Sequence, residues 1–137
     1  IQILNKILLV DNKNHYLQEI SDCYNLIAVL YLRKEKFNLS MEHLDKSIEL
    51  KLKLNDKQGL SKCYINKFDV HMKKKEYKKA LFFLNKSKLI KKELDDTLGL
   101  VHYEINLGYL YRQSGDLISA KSQYNQVLKI GNFLKKI

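Results

Sequence analysis

The chain has 137 residues, 45% of them apolar and 29% charged, with a formal charge of +10 and an isoelectric point near 9.5. That length fits one domain with its own core, and no run of about 18 apolar residues is present to span a membrane. Proline and tryptophan are absent and glycines number five, which favours an all-helical chain over a β-sandwich, whose many turns need such residues.

Taken in chain order, the helical stretches repeat with a period of 40 residues. "ISDCYNLIAVLYLRKEKFNLSMEHLDKSIEL" sits over "LSKCYINKFDVHMKKKEYKKALFFLNKSKLI", and that over "LVHYEINLGYLYRQSGDLISAKSQYNQVLKI". Tyr31, His71 and Tyr111 align, as do Phe37, Tyr77 and Leu117, Ser40, Ala80 and Ala120, and Ser47, Ser87 and Val127. The opening "IQILNKILLV" matches the second half of a unit, since its "LNK" returns at 44–46 as "LDK" and at 84–86 as "LNK". The pattern predicts one helix over 1–14, the second of a truncated repeat, then helix pairs over 15–54, 55–94 and 95–137, seven helices in all. The first residue is isoleucine, which suggests a fragment of a longer protein.

Within each unit the apolar residues recur at helical spacing, as Ile105, Gly108 and Tyr111 do before Ala120, Tyr124 and Leu128. "RKEKF", "KKKEY" and "RQSGD" divide each pair, with Gly115 free to take positive φ and Asp116 placed to cap the next helix. "LNDKQG" and "LDDTLG" divide one unit from the next. Helix pairs of this size cannot bury their apolar faces alone, so the expected architecture is an all-α solenoid of stacked antiparallel pairs.

Cys23 and Cys63 occupy one position of successive units. Stacked helices lie about 8–10 Å apart and a disulfide needs Cα atoms within about 7 Å, so both are read as small, partly buried residues. Two free thiols suit a cytoplasmic protein, with a periplasmic sensor segment as the alternative. No closely spaced ligand pairs for zinc, no phosphate loop and no activated nucleophile are visible. No enzyme, metal or cofactor is expected. Positive charge peaks over 61–94, where eleven lysines face three acids. Only Arg33 and Arg112 are arginine, the residue best suited to bidentate phosphate and base contacts. That lowers a nucleic-acid partner to an alternative reading.

"NLGYLYRQSGDLISAKSQYNQVLKI" resembles a tetratricopeptide repeat, through Asn106, Leu107, Gly108, Tyr111, Gly115, Ala120 and Tyr124. The first unit keeps Tyr24, Ala28, Tyr31, Phe37 and Ser40, and the second keeps Tyr64, Tyr77 and Ala80 but departs at Lys67 and Phe68. The long period and the "D-x-x-G-[IL]" junction, here "DKQGL" and "DTLGL", look like those of bacterial signalling proteins with histidine-kinase or DNA-binding modules. The resemblance implies a right-handed solenoid that binds a protein or peptide, as part of a bacterial regulatory protein.

Spacing of 100° per residue puts Tyr24, Ile27, Ala28 and Tyr31 on the buried side of the first helix of its pair. Leu32 falls on the opposite side, as does Met72 one unit later. By the resemblance, these opposite sides line a concave groove, and the candidate binding residues are Asn25, Arg33, Lys62, Asn66, Lys73, His102, Asn106, Tyr109, Arg112 and Gln113. Carboxamides suit an extended main chain, while Arg33, Lys73 and Arg112 suit an acidic partner or a free carboxylate. Exposed apolar residues Ile3, Leu4, Ile7 and Leu8 add self-association through the solenoid ends.

Overall fold

The computed structural model describes residues 2–137, and among them every regular element is an α-helix. Six helices follow one another: α1 Gln2–Arg33, α2 Phe37–Lys53, α3 Lys57–Lys73, α4 Tyr77–Glu93, α5 Thr97–Ser114 and α6 Leu117–Lys135.

The turns explain the count. Each contains one residue at positive φ, namely Glu35, Asn55, Lys75, Asp95 and Gly115, spaced at half the repeat period. The next residue's amide then donates back over the helix end: Lys36 to the Tyr31 carbonyl at 2.9 Å, with the same bond at Asp56, Glu76, Asp96 and Asp116. This left-handed closure satisfies helix-end carbonyls that would otherwise lack donors. On the far side, carboxylates of Asp56, Asp96 and Asp116 accept from the amides of Gly59, Gly99 and Ser119 at 2.8–3.1 Å, capping three helices.

The expectation of seven helices is corrected by α1, which runs unbroken through residues 14 and 15. One period before Asn55, Asp56 and Gly59 stand His15, Tyr16 and Glu19. With no left-handed residue, capping aspartate or glycine there, nothing ends the helix.

The chain forms two compact units that meet in sequence within α3, the first closing at Asn66 and the second opening at Lys67. In the first unit, α1 packs along α2, with Ala28 and Leu44 fully buried. Small hydroxyls let the helices approach. Ser40 Oγ donates to the Ala28 carbonyl and Ser47 Oγ to the Ser21 carbonyl, both at 2.8 Å, while Cys63 Sγ lies 3.3 Å from Ser47 Oγ. Cys63 is fully buried and Cys23 is exposed, and both are free thiols. Burial pushes the Cys63 thiol pKa up. The shared sequence position thus has one core and one surface occupant. The N-terminal half of α1 stays outside this packing, leaving Ile3, Leu4, Ile7 and Leu8 exposed.

In the second unit, α5 packs against α4 and α6 around Leu84, Tyr103, Leu107, Leu110 and Ala120. Gly108 is required by close approach, because a Cβ there would stand 2.6 Å from Tyr124 Cε1. Three face assignments are corrected. Ile27 is exposed, whereas Leu32 and Met72 are buried at 7% exposure each. A helix with neighbours on more than one side buries a stripe wider than one sector, and polar neighbours do not reveal that from spacing.

Candidate functional site

In the first unit, Asn25 and Asn66 are half-buried and meet, with Asn66 Nδ2 donating to Asn25 Oδ1 at 2.7 Å. Arg33, in the last turn of α1, and Lys62 on α3 are exposed. Two of the candidate carboxamides, Asn25 and Asn66, are therefore bonded to each other.

Beside Asn25 lies an arrangement that the reading of candidate residues missed. Lys51 of α2 is only 2% exposed. Its ammonium pairs with Asp22 and lies 3.0 Å from Asp56 Oδ2. Burial alone would lower the Lys51 pKa, but hydrogen bonds to Asp22 and Asp56 and their charges hold it above the ordinary value. Burial would likewise raise Asp56, yet Gln18 Nε2 at 2.8 Å, the Gly59 amide and Lys51 hold it below the carboxylate range. Gly59 makes room for the lysine stem, since a Cβ there would stand 2.8 Å from Lys51 Cδ. The same parts recur as Lys91, Asp96 and Gly99, where a Cβ on Gly99 would stand 3.0 Å from Lys91 Cδ. Burial lowers the Lys91 pKa against the pull of Asp96. The signal was present as K-x-x-x-x-D-x-x-G, written twice at the unit junctions.

In the second unit, α5 presents the rest of the set. His102, Arg112 and Gln113 are exposed, and Asn106 is half-buried. The Arg112 guanidinium sits 5.4 Å from the centre of the Tyr109 ring, with that ring 37% and Ile105 40% exposed. The Gln113 carbonyl accepts from Tyr77 Oη at 3.1 Å. On the α3 segment of this unit, Lys73 is exposed four residues after Asp69. Burial lifts the Asp69 carboxyl to about 6 against the attraction of Lys73.

Comparison with known proteins turns on the helix-pair repeat. Residues 21–54 and 105–130 match the tetratricopeptide repeat family profile. Those two segments are similar to tetratricopeptide repeats. The stretch between the matches contains Lys67 and Phe68 where the repeat usually has leucine and a small residue, and Phe68 is 1% exposed. Among solved structures, the tetratricopeptide repeat domain of Arabidopsis FLU is similar with a TM-score of 0.73 at 15% identity, over 85% of this chain and 98% of that one. BtubC (BKLC) from P. vanneervenii is similar with a TM-score of 0.75 at 17% identity, over 95% of this chain and 54% of that one. The chain thus spans about half the length of BtubC. At these identities the likeness is one of fold. No curated protein sequence matches the chain.

Tetratricopeptide repeats serve generally as non-catalytic scaffolds that bind protein partners. Among the described residues no group of three His, Cys, Asp or Glu is placed to hold a metal ion, and no helix is long and apolar enough to cross a membrane.

Proposed function

We propose that this chain binds a peptide or a peptide-like segment of a protein on the exposed sides of its repeat helices, with a preference for acidic groups or a free carboxylate. The observation that carries the reading is Arg112 resting on the exposed Tyr109 ring, in line with Asn106 and Ile105 on α5. That places a cation, an amphipathic ring, a carboxamide and an apolar contact on one helix face. Such a face can hold a main chain and one anionic group together. A role within a bacterial regulatory or signal-transduction protein in the cytoplasm rests on the D-x-x-G junctions and free thiols alone.

The nucleic-acid alternative needs free lysines, and many here are engaged. Lys67 and Lys86 lie 5.0 Å from the Phe83 and Phe82 ring centres, and Lys88 lies 4.6 Å from that of Tyr103. Lys74 and Lys79 hold Glu76 at 2.9 and 3.0 Å.

A display library of random peptides, selected on the protein and followed by calorimetry on enriched sequences, tests the proposal. Acidic or carboxylate-terminated peptides are expected, and Asn106→Ala and Arg112→Ala should each weaken binding by more than about 1 kcal/mol at unchanged melting temperature. Unchanged affinity in both variants would refute the assignment to α5. A steep loss of oligonucleotide affinity with log salt would favour the alternative.

A further inference from the structure

The first helix carries a second apolar face, on the side turned away from α2. Ser21 and Ala28, fully buried, mark the packed side. At 100° per residue, Leu4, Leu8, His15, Glu19, Leu26 and Leu30 fall within a sector of about 80° on the far side. All six are exposed, and the four leucines keep 58%, 52%, 63% and 56% of their surface in water. Ile7, three residues on from Leu4, borders the same face.

The pattern is its own complement when reversed. Leu4 with Leu30, Leu8 with Leu26 and His15 with Glu19 make three pairs, each centred on Leu17. Two copies of α1 laid side by side in opposite directions therefore set leucine against leucine at both ends. Between them an imidazole meets a carboxylate, twice over. One chain cannot make these contacts with itself. At a rise of about 1.5 Å per residue, Leu8 and Leu26 lie roughly 27 Å apart, and α1 is unbroken between them.

The second unit shows what covers such a helix inside the chain. Two repeat periods after the second half of α1 stands α5, which is packed by α4 as well as by α6. Leu110, the counterpart of Leu30, is 4% exposed there. α4 runs antiparallel to α5, since the Lys88 ammonium lies over the Tyr103 ring while the Lys91 stem passes Gly99. Leu26 and Leu30 have no such cover among the described residues. The stretch that matches a covering helix in sequence, the opening "IQILNKILLV", runs straight on into the rest of α1 instead of turning back over it.

We infer that a second copy of the chain supplies the cover. The two α1 helices pair antiparallel about a two-fold axis at Leu17, the first half of each lying on the second half of the other. Each copy then gives its partner what α4 gives α5, and the symmetry closes the assembly at two. Reversal symmetry selects a second copy over an unrelated helix, which would require neither equal leucine spacing nor opposite polar groups about one centre. The inference is independent of the peptide-binding reading, which concerns α5, and either can fail alone.

Sedimentation velocity of the whole chain over a concentration series tests it, with circular dichroism as the check on folding. Wild type is expected to reach a dimer. Leu8→Glu and Leu26→Lys, both at exposed positions, should each keep their helix content and weaken the dimer at least about tenfold, because each change falls twice in a symmetric interface. An equimolar mixture of the two variants should recover a dimer. Only in the mixed pair do the new charges meet with opposite sign, while the unaltered Leu8 and Leu26 meet each other. Wild type that stays monomeric at high concentration would overturn the inference. So would a dimer indifferent to Leu26→Lys, which would put the contact on the first half of α1 alone, and so would variants that remain monomeric when mixed.

Discussion

Replacing Asp69 with asparagine should stabilise the protein at neutral and alkaline pH. Burial lifts its carboxyl from 3.8 to about 6, roughly two pKa units, which corresponds to about 3 kcal/mol if none of it is screened. Asp69 keeps part of its surface in water, so the realised effect should be about 1–2 kcal/mol. The sign follows from linkage. A raised carboxyl pKa contributes stability that is complete below 3.8 and lost as pH rises through about 6, where the buried group must ionise. Two residues away, His71 acts oppositely. Burial holds its pKa below 6.5, opposed by Glu76 and supported by Lys74 and Lys79, so its stability is present above 6.5 and lost as pH falls. Wild type and variant share His71, and subtraction removes it. Urea unfolding of both proteins at pH 8 and pH 4.5 is the assay. Asp69→Asn is expected to be the more stable at pH 8, with most of the gap gone at pH 4.5. A gap of equal size at both values would mean that the amide merely packs better, and would refute the electrostatic account.

Lys75 takes a left-handed conformation with φ of 59°, which costs a non-glycine residue about 1–2 kcal/mol. Lys75→Gly should raise stability by about 0.5–1 kcal/mol in urea unfolding, after the glycine's greater unfolded-state entropy is allowed for, whereas Lys75→Ala should not. Equal effects of the two substitutions would show that charge removal, not backbone strain, is responsible. The exposed Ile3, Leu4 and Ile7 of α1 favour contact between two copies. Sedimentation velocity should show concentration-dependent association that Ile7→Asp abolishes, and a monomer at high concentration would remove self-association from consideration.

Much of the fold was legible because its signals are local. Asp96 and Asp116 cap the helices they precede, Gly115 closes α5 at positive φ, and the alignment of Gly108 with Ala28 marks a position of close helix approach. The reading failed where an absence mattered more than a pattern. "HYLQE" preserves apolar resemblance to the repeat but lacks every residue that ends a helix, and α1 continues through it. The candidate residues were partly legible. Arg112, Asn106 and Tyr109 share a face of α5 as the spacing implied, because helix geometry alone places them there. Lys51 escaped attention because an isolated lysine in a lysine-rich chain reads as surface.

By itself the sequence determined the helices, their turns and the repeat, since caps, left-handed turn residues and 3.6-residue periodicity act over a few neighbours. Only the tertiary structure decided which polar groups leave water. Lys51 and Lys91 are among the most buried lysines of a strongly basic chain, Cys63 is core while Cys23 is surface, and Asp69 retains its proton to about 6. Each of those outcomes depends on residues brought together from separate helices, or on the solvent they exclude, and neither burial nor pairing across helices is encoded in the local order of the chain.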